Sequence, residues 1–182
     1  AVAWARCRSL VYTAASGFVG TDSFSYSAND STGLSTPAQV SVLVDDLSTY
    51  LPPDPLTFYT IGLYSYYYDL PADVSVLPNF SSLSWFRRSI QGWVNVPSTS
   101  GNYADSGRAD NVGAVYVGYL SIPQDARYTF YTESDDGSKL YVSNQLVVNN
   151  DGLHGMQVRS GQVRLRAGFH KVRVEFFERA EL

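Results

Sequence analysis

Two neighbouring aspartates and a glycine, Asp135, Asp136 and Gly137, stand between two runs of strand-forming residues in the stretch TFYTESDDGSKLYVSN. Residues of these types suit three kinds of site. Asp and Gly are typical of a hairpin turn, paired carboxylates serve as acid and base in glycosidases, and carboxylate oxygens are ligands that Ca²⁺ prefers. The rest of the chain has to discriminate among these three.

The spacing of the two aspartates argues against catalysis. Neighbouring residues of an ordinary strand point to opposite faces, so Asp135 and Asp136 would not both reach one scissile bond. The chain has two histidines, His154 and His170, and neither lies in a nucleophile elbow or a zinc-binding helix motif. We therefore expect no catalytic residues and no enzyme activity.

Calcium binding is the alternative that the residue types favour. Ca²⁺ takes about six to eight oxygen ligands from carboxylates, carbonyls and waters, and consecutive aspartates can both turn toward one ion if the peptide between them is cis. A second loop, VNNDGLHG, offers Asn149, Asn150 and Asp151 as further oxygens or as sugar contacts. In an ordinary loop the same residues satisfy their own backbone, and His154 is interpreted as a residue that packs within the fold.

The composition excludes several classes of protein. At 45% apolar and 16% charged residues, the 182-residue chain can bury a core. Its net charge of −4 argues against a nucleic-acid partner, because phosphate contacts need a clustered basic surface. A single cysteine excludes an intrachain disulfide, and no apolar run approaches the roughly 18 residues of a membrane helix.

Short runs of alternating apolar and polar residues recur along the chain, and sustained helical periodicity is nearly absent. Turn residues separate the runs at a spacing of about ten residues, which is typical of an all-β sandwich or barrel. The composition changes at YLPPDPL, where the prolines favour an extended spacer. We therefore predict an N-terminal β unit over residues 1–50, a Pro-rich linker over residues 51–56 and a larger β domain over residues 57–182.

The N-terminal segment GFVGTDSFSYSANDSTGLSTPAQVSVLV is similar to the second half of the cadherin-like, immunoglobulin-like repeats of large surface proteins. The resemblance covers about residues 10–45 and implies a partial immunoglobulin-like β unit. Three strands bury little surface. We expect either that the chain is a fragment or that another chain or the second domain supplies the partner sheet.

The larger domain resembles the PA14 family. The stretches that carry the resemblance are GLYSYYYD, then VGAVYVGYLSIPQDARYTFYTESDDGSKLYVSNQLVVNNDGLHG, then SGQVRLRAGFHKVRVEFFE. Their order, spacing and residue types imply a PA14-type antiparallel β-sandwich. The family continues beyond VEFFE into at least one more strand, so the domain is expected to lack its final strand and to leave an open sheet edge.

The resemblance also implies a site. In carbohydrate-binding members of the family, a cis Asp–Asp pair holds Ca²⁺, and the ion contacts vicinal sugar hydroxyls. Carried over to this chain, the pair is Asp135 and Asp136, and Gly137 permits the tight backbone after it. The other ligands come largely from the loop after VEFFE, where Glu178 and Glu181 are candidates. A plain hairpin turn remains the alternative.

These observations predict a non-enzymatic extracellular surface or fibre protein whose PA14 module binds carbohydrate through calcium. The alternative is a structural subunit of a glycosylated extracellular filament, assembled by β-strand complementation between subunits. A carbohydrate-binding appendage of a larger glycosidase is a third option. Asn29 and Asn79 lie in glycosylation sequons, and Trp85 and Trp93 are either sugar-stacking residues or core and sheet-edge aromatics.

Overall fold

The computed structural model describes residues 11–30, 32–57, 61–96 and 101–179. Within these ranges the chain forms β-strands, three one-turn 3-10 helices (Leu47–Thr49, Phe80–Ser82 and Ala104–Ser106) and no α-helix. Across the same ranges, no helix has the length and apolar character needed to cross a membrane. The all-β class predicted from the alternating runs is confirmed.

The chain divides into two compact units, Ala1–Ser48 and Thr49–Leu182. In the first unit, β1 (Gly20–Tyr26) pairs antiparallel with β4 (Ala38–Val44), and the short strands β2 (Asn29–Asp30) and β3 (Gly33–Leu34) pair with each other between them. Alternating residues of β1 and β4 account for this pairing, since Phe24 lies opposite Val40 on one face.

The described residues of the second unit form two antiparallel sheets. Its strands are β5 (Leu63–Asp69), β6 (Arg87–Gln91), β7 (Val112–Ile122), β8 (Ala126–Ser134), β9 (Ser138–Val142), β10 (Gln145–Asn150), β11 (Gln157–Leu165) and β12 (Gly168–Glu178). Six of them form one sheet in the order β10-β9-β12-β7-β5-β6, and β11 and β8 form the other.

The core of the sandwich lies between these sheets. Leu140 and Val142 of the larger sheet pack with Val163 and Leu165 of β11, and all four are buried. A separate apolar cluster covers the opposite face of the larger sheet, where residues of the β5–β6 connection pack on β7 and β12. The larger sheet is thus covered on both faces near its centre, which accounts for the nearly continuous burial of β7.

The register of the larger sheet aligns three residues from three strands. Asp69 of β5 pairs with Val112 of β7, and Val112 pairs with Glu178 of β12. Residues directly opposite one another on antiparallel strands project to the same face. Asp69, Val112 and Glu178 therefore form one row across the end of the sheet.

The segment predicted as a linker is hydrogen-bonded to the second unit. Leu51 forms a parallel bridge with Leu165. The Leu51 N–H donates to the Arg164 carbonyl at 2.9 Å, and the Arg166 N–H donates to the Leu51 carbonyl at 3.1 Å. Because Pro52, Pro53 and Pro55 carry no N–H, few backbone donors remain in this segment, and Leu51 and Asp54 supply its bonds to the sandwich.

Asp54 anchors this segment through its carboxylate. Its Oδ2 accepts hydrogen bonds from Ser143 Oγ at 2.7 Å and from the Lys171 N–H at 2.8 Å. Ser143 Oγ also lies 2.9 Å from Nδ1 of the fully buried His170, whose Nε2 lies 2.8 Å from the Arg166 carbonyl. The serine stands between carboxylate and imidazole, whereas in a catalytic triad the histidine occupies the middle. The arrangement anchors the segment and is not that of a nucleophile.

We predict that Asp54→Asn destabilises the protein in a pH-dependent manner. Burial raises the pKa of Asp54, but hydrogen bonds from Ser143 and Lys171 outweigh burial and hold this pKa below its usual value. A carboxylate whose pKa is lower in the folded state stabilises the protein at pH values above its unfolded-state pKa. This contribution to the free energy of unfolding is lost as the pH falls through the folded-state pKa. Urea unfolding should show a loss of about 1–3 kcal/mol at neutral pH that shrinks as the pH falls below the usual pKa of aspartate.

The exposed Asp73, which has no hydrogen bond or ion pair among the described residues, provides a matched control. Asp73→Asn should leave the free energy of unfolding unchanged across the same pH range. An Asp54→Asn deficit of the same size at both ends of the range would contradict the charge-dependent role assigned to Asp54.

Candidate functional site

The two aspartates lie in the short connection between β8 and β9. Ser134 and Ser138 close this connection through a buried hydrogen bond of 2.7 Å between their hydroxyl groups. The Phe177 N–H donates to the Gly137 carbonyl at 3.0 Å and ties the connection to β12. Because β8 and β9 belong to different sheets and do not pair, this connection crosses between the sheets and is not the hairpin turn that the Asp-Asp-Gly pattern alone suggested. Its hydrogen bond to β12 fixes its position.

Three carboxylates meet at this connection. The peptide bond between Asp135 and Asp136 is cis, as the family resemblance implied. Asp135, Asp136 and Glu178 each place a carboxylate oxygen within 4.8 Å of the other two. Asp136 is buried, at 8% exposure, whereas Asp135 and Glu178 are half-buried. The arrangement is called the carboxylate cluster below.

Backbone donors orient Asp136 within the carboxylate cluster. The Arg179 N–H donates to Asp136 Oδ2 at 3.0 Å, and the His154 N–H donates to Asp136 Oδ1 at 3.3 Å. These donors come from the end of β12 and from the loop after β10, so Asp136 is held by two segments that are distant in sequence. A carboxylate oxygen has two acceptor positions, and each oxygen of Asp136 retains capacity for another partner.

His154 lies beside the carboxylate cluster, since its backbone N–H donates to Asp136 Oδ1. Its Nδ1 lies 2.9 Å from the Gly155 carbonyl and its Nε2 lies 3.0 Å from the Asn150 carbonyl. Both nitrogens can donate only in the imidazolium form. Burial lowers the pKa of His154, but these two hydrogen bonds and the charges of Asp136 and Asp135 raise it above its usual value.

Asn149, Asn150 and Asp151 are placed differently from the aspartate pair. The Asn150 side chain is buried: its Nδ2 donates to Ser134 Oγ at 3.0 Å, and its Oδ1 accepts from Gln157 Nε2 at 2.7 Å. Asn149 is exposed, and its Oδ1 accepts from the Asp151 N–H at 3.2 Å. Among the described residues, the Asn149 side chain therefore acts within its own loop, whereas the Asn150 side chain joins β10 to β8 and β11.

Asp151 is engaged in holding the loop. Its Oδ2 accepts from Lys139 Nζ at 2.6 Å, and its Oδ1 accepts from the N–H groups of Leu77 at 2.7 Å and of Gly152 at 2.9 Å. It is not part of the carboxylate cluster. This ion pair is largely withdrawn from solvent, with side-chain exposures of 19% and 17%, so it fixes the loop that carries the His154 N–H.

Among the described residues, the others that the sequence singled out are not members of the carboxylate cluster. Trp85 is 51% exposed and packs edge-on against Tyr66 at 6.0 Å between ring centroids, and Trp93 is 74% exposed. Asn29 and Asn79 are exposed, and Asn79 Oδ1 accepts the Ser81 N–H at 3.2 Å. Glu181 lies outside the described residues.

The orienting groups that the sequence did not single out are the N–H groups of His154 and Arg179. Every residue except proline carries such a donor, so residue type contains no signal for this role. Glu178, named as a candidate from the family resemblance, lies in the carboxylate cluster.

Comparison with protein families identifies both parts of the chain. The PA14 domain model matches residues 61–181, about two thirds of the chain. A bacterial Ig domain model matches residues 2–43. Both resemblances noted in the sequence are therefore confirmed. No curated protein matches the chain.

Several solved structures share the fold. An anti-sigma factor domain-containing protein aligns with a TM-score of 0.56 and 23% identity, over 67% of this chain and 40% of its own length. The PA14 domain of the antifreeze protein MpAFP aligns with a TM-score of 0.56 and 14% identity, over 69% of this chain and 81% of its own. A PA14 sugar-binding domain from an RTX adhesin aligns with a TM-score of 0.55 and 20% identity, over 65% of this chain and 82% of its own length. At these sequence identities, the matches show that this chain shares the fold of those structures.

We predict that Gly137→Ala disturbs the connection between β8 and β9 that carries the aspartates. A Cβ at this position would lie 2.9 Å from the Gly152 nitrogen and 3.0 Å from its carbonyl oxygen, and would also meet the Phe177 ring. Backbone atoms cannot move aside as a flexible side chain can, so overpacking should cost about 1–3 kcal/mol of unfolding free energy. Chemical denaturation monitored by circular dichroism measures this loss.

Gly155→Ala is the matched control, because a Cβ there meets nothing within 4 Å. It should unfold at nearly the same denaturant concentration as the unsubstituted chain. Equal denaturation midpoints for the two variants would show that Gly137 is not tightly packed against Gly152 and Phe177.

Proposed function

The chain belongs to the PA14 family, and we propose that it is part of a non-enzymatic extracellular surface protein whose PA14 domain binds carbohydrate through calcium. The observation that carries the proposal is the carboxylate cluster, in which three acidic side chains converge on one point. PA14 and bacterial Ig domains are typical of extracellular adhesins. Because the chain covers 40% of the first solved relative, the activity of a whole protein containing it belongs to this proposal as well.

The donor set fits a calcium ion. Ca²⁺ binds oxygen at about 2.3–2.6 Å, so two oxygens on opposite sides of one ion are separated by about 5 Å at most. The oxygens of Asp135, Asp136 and Glu178 lie within 4.8 Å of one another. Three neighbouring carboxylates repel one another, and a divalent cation would relieve this repulsion.

Each residue has a distinct part in the proposed site. Asp135, Asp136 and Glu178 would hold the ion, while the N–H groups of His154 and Arg179 keep the Asp136 carboxylate in place. When bound, calcium supplies coordination positions for hydroxyl oxygens, because it takes more oxygens than three carboxylates provide. Vicinal hydroxyl groups of a sugar suit these positions.

The absence of a catalytic role is part of the same proposal. The three carboxylates converge on one point, whereas glycosidase carboxylates flank a scissile bond. PA14 domains are typically non-catalytic carbohydrate-binding modules. One solved relative is a PA14 sugar-binding domain from an RTX adhesin, and this likeness supports a carbohydrate-binding role for the present chain.

Calcium should stabilise the protein through the carboxylate cluster. Because a ligand that binds only the folded state stabilises it by mass action, a calcium concentration of 100 times Kd should add about 2.7 kcal/mol. Thermal unfolding in calcium and in chelator measures the difference. Asp136→Asn should abolish it, and Asp73→Asn, on an exposed residue outside the cluster, should preserve it.

Carbohydrate binding is tested separately on a glycan array. The unsubstituted chain should bind in calcium and lose binding in chelator, and Asp136→Asn should not bind in either condition. Binding that persists in chelator would overturn the calcium-dependent mechanism. A calcium-loaded, folded chain that binds no glycan would overturn the carbohydrate-binding function while leaving the metal site.

A second candidate is the subunit of a glycosylated filament. One observation favours it: β8 pairs with β11 along its nine residues and, among the described residues, with no other strand. An open strand edge can accept a strand from another chain. In this role the exposed Asn29 and Asn79 would carry the glycans.

Electron microscopy of concentrated protein tests the filament. Filaments should form, and Tyr131→Lys, on a β8 side chain that is 67% exposed, should weaken them because lysine on an edge strand opposes pairing. A chain that remains monomeric by light scattering at high concentration would eliminate this candidate and leave the carbohydrate-binding proposal intact.

A further inference from the structure

We infer that the carboxylate cluster is one end of a longer binding row whose second subsite is formed by Arg108, Asp69 and Phe86. The inference rests on the proposed carbohydrate-binding function and specifies its ligand. The row suits an oligosaccharide of several units, with one unit at the calcium position and another at the second subsite.

The sheet register places the two subsites in line. Asp69, Val112 and Glu178 lie opposite one another on β5, β7 and β12 and project to one face. Val112 is fully buried between the other two, so a ligand would contact the two ends of the row and pass over the residues that cover its middle. Two interstrand spacings of roughly 4.8 Å separate Asp69 from Glu178, or about 10 Å in all. The distance exceeds the width of one sugar ring, so a single ligand reaches both subsites only if it contains more than one unit.

The second subsite offers both donors and acceptors to solvent. Arg108 Nη2 lies 3.0 Å from Asp69 Oδ1 and 3.2 Å from Oδ2, with side-chain exposures of 52% and 59%. Ion pairs this exposed contribute little to stability. A guanidinium carries five N–H donors and a carboxylate about four acceptor positions. Most of this capacity remains available to hydroxyl groups, and the pair has no net charge, as suits a neutral sugar.

An aromatic ring completes the second subsite. The Arg108 guanidinium carbon lies 5.1 Å from the centroid of the Phe86 ring, which is 37% exposed. The Phe86 N–H donates to the Tyr67 carbonyl at 2.9 Å, which places Phe86 just before β6 at the same end of the sheet. Apolar ring surface beside polar groups fits the mixed character of a sugar, whose C–H faces are apolar and whose edges carry hydroxyl groups.

The backbone of Arg108 is held firmly while its side chain faces solvent. Its carbonyl accepts from the Tyr103 N–H at 2.7 Å and from Ser106 Oγ at 3.0 Å, and its N–H donates to Ser106 Oγ at 3.0 Å. Tyr103 is in turn stacked on Phe176 of β12 with ring centroids 4.4 Å apart. The loop is thus preorganised, which reduces the entropy lost when a ligand binds.

The experiment compares short and long ligands on the full chain. Calcium-loaded protein is titrated calorimetrically with glucose, mannose, galactose and xylose, and with the neutral trisaccharide and tetrasaccharide of each. For the sugar that binds, the longer oligosaccharide should bind about tenfold more tightly than the monosaccharide, which corresponds to about 1.4 kcal/mol. Arg108→Gln and Phe86→Ala should remove most of this gain and leave monosaccharide affinity unchanged.

Arg127→Gln is the matched control, since Arg127 is an exposed arginine at the start of β8, and the aspartates follow the other end of that strand. It should retain the tenfold gain. If Phe86→Ala unfolds the domain, Asp69→Asn replaces it, because an exposed ion pair is not needed for stability.

The outcomes separate this inference from the function on which it rests. Equal affinities of the unsubstituted chain for short and long ligands would overturn the second subsite and leave the calcium site standing. Equal losses for both ligands in Arg108→Gln would also overturn it, since the effect would then lie at the calcium position. No binding of any sugar by calcium-loaded protein would overturn the proposed function and this inference together.

Discussion

Strand β12 hydrogen-bonds along both of its edges, and the candidate site depends on that pairing. It pairs with β7 over its whole length and with β9 over five residues. The β9 pairing positions the β8–β9 connection that carries the aspartates, and the β7 pairing positions Glu178 in its row. Because one strand determines both placements, the carboxylates on its end and in the neighbouring connection meet without a long flexible loop.

The polar groups around the β8–β9 connection form a network of hydrogen bonds. Asn150 ties β10 to the end of β8, and Asp151 ties the following loop to Lys139 and Leu77. The same loop delivers the His154 N–H to Asp136, so side chains that contribute no ligand oxygen still determine where the carboxylate points. A bound cation would offset the negative charge of the three carboxylates that this network holds together.

Sequence reasoning was most reliable where a local pattern reflects a local cause. Alternating apolar residues predicted the strands, because strand side chains alternate between core and solvent. Asp-Asp-Gly between two such runs predicted a tight connection, and the family pattern pointed to the aspartates as a pair. That the two flanking strands lie in different sheets and do not form a hairpin was not contained in the local pattern. The same reasoning grouped Asn149, Asn150 and Asp151 with the site by proximity in sequence, while the structure shows Asn150 buried and Asp151 paired with Lys139. The hydrogen-bond partner of a loop amide depends on neighbours from other strands, which a local pattern does not contain.

The sequence by itself determined the all-β class, the membership of both segments in their families and the aspartate pair, because these features depend on residue types at short spacing. Only the tertiary structure decided which groups surround that pair and what lies in line with it. The partners of Asp136 come from residues 18 and 43 positions away, and Arg108 meets Asp69 across 39 residues. Such contacts follow from strand register, which is set by packing of the whole sheet rather than by any one stretch of the chain.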